Sequence, residues 1–266
     1  MAMECRPPAG RRQVRKLYLH VAARMPDCRH GSRLRQYCPV AKGAEVFAAR
    51  WIPLIIRNLD LGCRSFGEIH QGVPGMSRSL LSQRLATLER DGIVERRPSP
   101  SGRGWHWQLT SAGEELNQVG MALGAWAARW MGLTPRDYDP AIVLWAWCRL
   151  LEPERLPERR VVVRFDLRDL PRQRFWMLLE RPDAEVCVTH PGFDEDLVIV
   201  TDSRTLTQVH MGRLPLGQAI ETGAWETQGP PSLARALMTW GGLSPFARVV
   251  PACDDQATAG PAPSGR

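Results

Sequence analysis

The chain has 266 residues, 44% hydrophobic and 24% charged, which is length for two modest domains and the composition of a soluble globular protein. Its net charge of +7 is uneven: residues 1–37 hold 9 Lys and Arg against 2 Asp and Glu, residues 38–131 hold 11 against 8, and residues 132–266 hold 15 against 18. No apolar run approaches the roughly 20 residues of a membrane span, and Leu17 to Ala23, interrupted by His20, does not read as a secretory signal. The cysteines at positions 5, 28, 38, 63, 148, 187 and 253 follow no framework spacing, so they read as reduced thiols of a cytoplasmic protein.

Met1 to Gln36 is Arg-rich and aperiodic. Residues 1–37 are expected to be a disordered basic leader or an upstream extension, with a phosphate-touching arm as the alternative. Cys28, His30 and Cys38 lack a fourth ligand and fit no zinc spacing. Pro39 to Ala48 reads as a short helix. Trp51 to Leu59 reads as a second, with Pro53 tolerated in its first turn and Trp51, Leu54, Ile55 and Leu59 as the floor of a small core.

Phe66 to Arg97 reads as a DNA-reading device. Phe66 to Ile69 is a short amphipathic piece, and Gly72-Val73-Pro74-Gly75 cannot continue a helix. Ser77 stands where an N-cap belongs. Leu81, Leu85 and Leu88 then recur at i, i+4 and i+7, and Asp91-Gly92 stops the helix. Arg78, Ser79, Ser82 and Gln83 fall mainly on the opposite flank, with Arg84 beside the apolar stripe. Ile93 to Arg97 alternates as a strand, residues 98–104 form a turn-rich tip carrying Arg103, and Trp105 to Leu109 returns. Ser111-Ala-Gly-Glu114 reads as a capping box opening the next helix.

Cys38-Pro39, Arg50-Trp51-Ile-Pro-Leu-Ile-Ile56, Phe66-Gly-Glu-Ile69, Pro74-Gly-Met-Ser77, Leu81-Ser-Gln-Arg-Leu85, Leu88-Glu89, Asp91-Gly-Ile-Val94 and Leu109-Thr-Ser-Ala-Gly113 together resemble the HxlR-type winged-helix transcriptional regulators, from Cys38 to Met131. The resemblance implies a homodimeric bacterial regulator of double-stranded operator DNA. Trp107, where the family usually has Tyr, and a Ser/Gly-rich wing tip depart from the pattern. In this frame Arg78, Ser79, Ser82 and Gln83 face base edges, since Gln and Arg pair bidentately with adenine and guanine. Ser77, Arg84, Arg96, Arg97 and Arg103 face phosphates and fix register. Some members use a cysteine near position 38 as a redox sensor, which makes Cys38 a candidate if Lys42 or a helix N-terminus lowers its pKa. The other reading is a small half-buried residue opening a helix.

Glu114 to Trp130 is a long helix. Leu116, Val119, Leu123, Trp126 and Trp130 are spaced 3, 4, 3 and 4, a seam that needs a partner helix. A second copy is favoured over the N-terminal helix, because a symmetric operator suits a two-fold protein. Residues 132–140 read as a linker, and Ala141 to Leu151 as an apolar helix. Strand-like runs follow at Arg160–Leu167, Phe175–Glu180, Glu185–His190 and Leu197–Thr201. Helices are expected over Leu206–Met211, Leu214–Glu221 and Ser232–Met238, with a strand over Ala224–Gln228.

From about Arg160 to Trp240 this pattern resembles the sterol carrier protein-like fold. That implies a sheet under helices with a cavity for a hydrophobic molecule, for which Trp176, Met177, Leu179, Met211, Leu237 and Trp240 are candidates. The expected fold class is thus α+β: an N-terminal winged helix-turn-helix domain over 38–131, then a sterol carrier protein-like domain over 141–253. The tail from 254 to 266 reads as disordered. No enzyme signature has its required context. Asp194-Glu195-Asp196 reads as a solvated turn, and His190 and His210 as strand ends without an acid partner. The chain is therefore read as a non-enzymatic regulator without cofactor, metal or membrane. A C-terminal domain serving only dimerisation or recruitment, and a lipid carrier or enzyme with a relic helix-turn-helix, are the competing readings.

Overall fold

The computed structural model describes residues 36–99, 102 and 104–252; residues 1–35, Pro100, Ser101, Arg103 and the tail from 253 lie outside them. Pro39–Phe47 forms α1. Ile52–Asp60 forms α2, and Trp51 stands before it with a left-handed φ of 80°. Here the sequence reading needs correction. The buried floor is Ile52, Ile55, Ile56 and Leu59, at i, i+3, i+4 and i+7, while Leu54 faces solvent.

α3 (Phe66–Gln71) and α4 (Arg78–Arg90) flank the Gly-Pro turn, and β1 (Val94–Pro98) pairs antiparallel with β2 (Trp105–Leu109). α5 (Ser111–Trp130) opens on Thr110, whose hydroxyl accepts from the Gly113 N–H at 3.2 Å. The N-cap is thus Thr110, one residue before Ser111, with Gly113 at N3 in place of the Glu114 that the expected capping box needs. Thr110 takes the role because its hydroxyl also donates to the Gly92 carbonyl at 2.6 Å, tying the helix start to the strand's approach.

α6 (Pro140–Arg149) opens on Asp139, whose carboxylate accepts from the Ala141 and Ile142 N–H groups. It is apolar on two sides, and each side has its own neighbours. Trp145 is buried with the winged-helix residues Ile55, Leu59, Ile69, Val73 and Leu81. Val143, Leu144, Trp147 and Cys148 are buried with the C-terminal sheet.

That sheet has β3 (Val161–Leu167), β4 (Arg174–Glu180), β5 (Asp183–Cys187), β6 (Leu197–Thr201) and β7 (Glu226–Gln228), in the order β5-β4-β3-β6-β7. Only β3 and β6 run parallel. Alternation sends Val161, Val163, Phe165, Met177, Leu179 and Ile199 into a core with α6, α7 (Ser203–His210), α8 (Leu216–Glu221) and α9 (Pro231–Leu237). Strand, short helix, helix with Ala219-Ile220, strand and helix follow one another from β6 to α9, the order the sterol carrier protein-like resemblance implies. The other face carries Val162, Arg164, Trp176 and Leu178, and residues 188–196 cross it. There Glu195 accepts from Trp176 Nε1 at 2.9 Å and from Arg164.

Both histidine expectations change. His210 ends α7 rather than a strand, and its buried ring donates from Nδ1 to the Gly242 carbonyl at 2.8 Å. His190 lies beyond β5, edge-on to Trp176 at 5.6 Å and within the field of Glu195.

Candidate nucleic-acid interface

The turn that leads into α4 is held from below by polar anchors. Arg57 donates to Asn58 Oδ1 at 2.8 Å and to the Gly72 carbonyl at 2.9 Å, and Asn58 Nδ2 donates to the Ile69 carbonyl at 3.0 Å. Burial lowers the Arg57 pKa, and its guanidinium lies over the Trp145 ring. Gly72 is required there: a Cβ would meet Asn58 Nδ2 and Trp145 Cη2, each at 2.4 Å. His70 Nε2 and the Met76 carbonyl, 2.8 Å apart, close the turn.

α3 is fixed at its start. Ser65 accepts from the Glu68 N–H, while Glu68 Oε2 accepts from the N–H groups of Arg64 and Ser65 at 2.9 and 2.8 Å. These bonds hold the Glu68 carboxyl below its ordinary pKa although burial opposes them.

On α4, Leu81, Leu85 and Leu88 are buried, and Ser77 accepts from the Leu80 N–H at 3.3 Å. Arg78, Ser79, Ser82 and Gln83 are exposed together on the opposite flank. Arg78 lies over the Phe66 ring at 5.9 Å. Arg84 differs from its expected place facing phosphates: it is half-buried and its Nε is enclosed without a hydrogen-bond partner. Its position beside the leucine stripe draws the stem inward, as long basic side chains cover apolar surface.

On the hairpin, Arg96 lies 4.4 Å over the Trp105 ring and 3.5 Å from Glu89, and Arg97 donates to Glu95 at 2.7 Å. Both arginines are exposed. Trp107 donates its N–H to the Arg64 carbonyl at 2.9 Å and packs near Phe66, joining the wing to α3.

The α5 seam divides. Leu116 packs against the winged-helix core, while Val119, Leu123, Trp126 and Trp130 are 50–56% exposed. Its neighbouring stripe is covered by this chain: Phe47 lies against Gly120, Phe246 against Gly124, and Arg213 donates to the Ala128 carbonyl.

Cys38 is half-buried beside α1, and Lys42 pairs with Glu45 at 3.7 Å, which shares the positive charge that sensing would use.

The hydrophobic-ligand candidates do not line one space. Met177, Leu179, Leu237 and Trp240 are packed in the sheet–helix core, Trp176 is on the opposite face of the sheet, and Met211 caps α7 half-buried. Met177, Leu179, Leu237 and Trp240 are thus buried where the sheet meets its helices. Among the described residues no group of three or more His, Cys, Asp or Glu could hold a metal ion, and no helix is long and apolar enough to cross a membrane.

The sequence reading passed over Glu68, although Ser65-x-x-Glu68 is a legible capping box. Arg57 and Asn58 carry no comparable signal.

Residues 46–135 match the HxlR-like helix-turn-helix family. The chain is 32% identical over 98 residues to YvaP of Bacillus subtilis, described as an uncharacterized HTH-type transcriptional regulator, covering 36% of this chain and 91% of YvaP. The reduced form of the transcriptional regulator YodB from B. subtilis is similar at 35% identity and a TM-score of 0.31, covering 35% of this chain and 92% of that one. The ubiquinone synthesis protein UbiJ-SCP2 is similar at 16% identity and a TM-score of 0.27, over 46% of this chain and 92% of that one.

Proposed function

The chain belongs to the HxlR-like helix-turn-helix family of transcriptional regulators, and from this premise we propose that it acts as a homodimer reading a symmetric double-stranded operator with α4. The observation that carries the proposal is the division of α4: three leucines are buried while Arg78, Ser79, Ser82 and Gln83 are presented together to solvent. Arg78 supplies paired donors and Gln83 a donor and an acceptor for bidentate contact with base edges, and Ser77, Arg96 and Arg97 supply phosphate contacts. Arg84 would contribute by its exposed end only. The apolar stripe Val119, Leu123, Trp126 and Trp130 supports pairing of α5 with a second copy.

Regulation by a small molecule in the C-terminal domain belongs to the same reading. An effector shifts DNA affinity only if it binds two arrangements of the molecule unequally.

Genomic footprinting of the full chain supplies the operator. Arg78→Ala with Gln83→Ala should then abolish discrimination between operator and random duplex in fluorescence anisotropy. Unchanged discrimination would show that α4 does not read the sequence.

A further inference from the structure

A cleft of about 570 Å³ opens where the winged helix meets the β5 edge of the sheet. It spans α3, the end of α6, and the outer face of β4 and β5. Its size falls in the range that holds drug-sized molecules. One wall is apolar, formed by Leu178 and Phe193. The other walls are charged, and the pairing of those charges decides what the cleft can accept.

Its three arginines are already engaged. Arg160 holds Glu180 at 2.9 Å and lies 4.0 Å over the Phe193 ring. Arg181 donates to the carbonyls of Glu154 and Leu156 and pairs with Glu158 at 3.9 Å. Arg149 faces Glu68 Oε1 at 3.7 Å, a loose contact. Among the carboxylates, Glu180 is paired and Glu68 uses Oε2 on its own helix start. Asp183 and Glu185 make no ion pair among the described residues, and both line the cleft from β5. The register sets Glu185 opposite Leu178 and Asp183 opposite Glu180, so both acids stand on the face that carries the apolar wall. The unbalanced charge of the cleft is therefore negative and adjoins an apolar surface. Phe193 already accepts a guanidinium on its ring, the interaction by which aromatic walls hold organic cations.

We propose that this cleft binds an amphipathic organic cation, its positive group between Asp183, Glu185 and Glu68 Oε1 and its apolar body on Leu178 and Phe193. Glu68 is the point of connection to DNA reading, because its other oxygen caps α3, the helix before the Gly-Pro turn. A cation on Oε1 displaces Arg149 from its loose contact and frees the end of α6. The effect on DNA rests on the proposed function above; the binding itself does not.

The test uses the full chain with tetraphenylphosphonium and, as its counterpart of nearly the same shape and opposite charge, tetraphenylborate, measured by titration calorimetry. Tetraphenylphosphonium should bind with one site per chain, weaken with added salt, and lose about fivefold in affinity in Glu185→Gln and in Asp183→Asn, the scale of one unit-charge attraction through water. Tetraphenylborate should bind at least tenfold more weakly. Equal binding of both ions, no binding of either, or binding unaffected by both substitutions would overturn the proposal. Glu185→Gln should keep wild-type operator affinity without the cation, so loss of DNA binding and loss of cation binding are read separately.

Discussion

Gly242 occupies a place that no side chain can share. A Cβ there would lie 1.9 Å from Trp147 Cδ1, at a φ of +93°. Gly242→Ala should cost at least about 2 kcal/mol from overpacking and left-handed strain, seen as a lower urea midpoint. The Gly242 carbonyl holds His210, whose pKa burial lowers from 6.5 even though this hydrogen bond raises it. The folded state thus disfavours the charged ring. The resulting stability is fully present above 6.5 and is lost as pH falls from 6.5 toward the depressed folded value, because the unfolded chain takes up the proton first. His210→Asn, which keeps a donor for the carbonyl, should flatten that part of a midpoint-versus-pH curve. Burial also pushes the Cys148 thiol up to about 12. Alkylation at neutral pH should therefore spare Cys148 in the folded chain and label it in denaturant, as peptide mass mapping would show.

At the scale of elements, α5 shows how one helix serves two sets of neighbours. Gly120 and Gly124 admit Phe47 and Phe246 closely, and the stripe of Val119, Leu123, Trp126 and Trp130 remains exposed. Leu123→Glu with Trp126→Glu changes only that stripe. It should leave the circular dichroism spectrum unchanged while the sedimentation mass falls from two chains to one. A dimer that persists would remove α5 as the seam. The start of α3 depends on the reciprocal Ser65–Glu68 bonds, and Ser65→Ala should lower stability by about 1 kcal/mol in urea melts.

For the whole molecule, the decisive element is α6. Trp145 fills the floor behind the reading turn and Trp147 fills the sheet–helix core, so one short helix contributes to both. Trp145→Ala should cost about 3 to 5 kcal/mol, and hydrogen exchange should rise in α4 and in β3 together. Exchange confined to α4 would show that the two cores open independently. The basic excess of the first 131 residues bears on DNA at this scale too. If each subunit neutralises roughly 3 to 4 phosphates, the log–log salt slope of a dimer should be about −5 to −7.

Much of the winged helix was legible in the sequence because its signals are local. The leucine spacing of α4, the Gly-Pro turn, the Ser77 cap and the alternating hairpin each specify their own geometry within a few residues. The division of α4 into a buried and an exposed flank followed from that periodicity alone. The order of elements in the C-terminal part was also readable, since its strands alternate and its helices end on glycine and proline.

What the sequence could not decide was which apolar and charged residues meet across long separations. Trp145 and Trp147 look alike in a string, yet they stand in different cores. Met177, Leu179, Leu237 and Trp240 read equally well as a pocket lining or as core, and the tertiary structure buries them together between sheet and helices. Arg57, Asn58 and Gly72 carry no common motif, because their hydrogen bonds exist only once α2 lies beneath the turn. Likewise, that Asp183 and Glu185 make no ion pair among the described residues while neighbouring acids find arginines depends on strand register and on the approach of α3. Local spacing sets periodicity and caps; the partner of each charge and the occupant of each void are fixed only when distant segments come into contact.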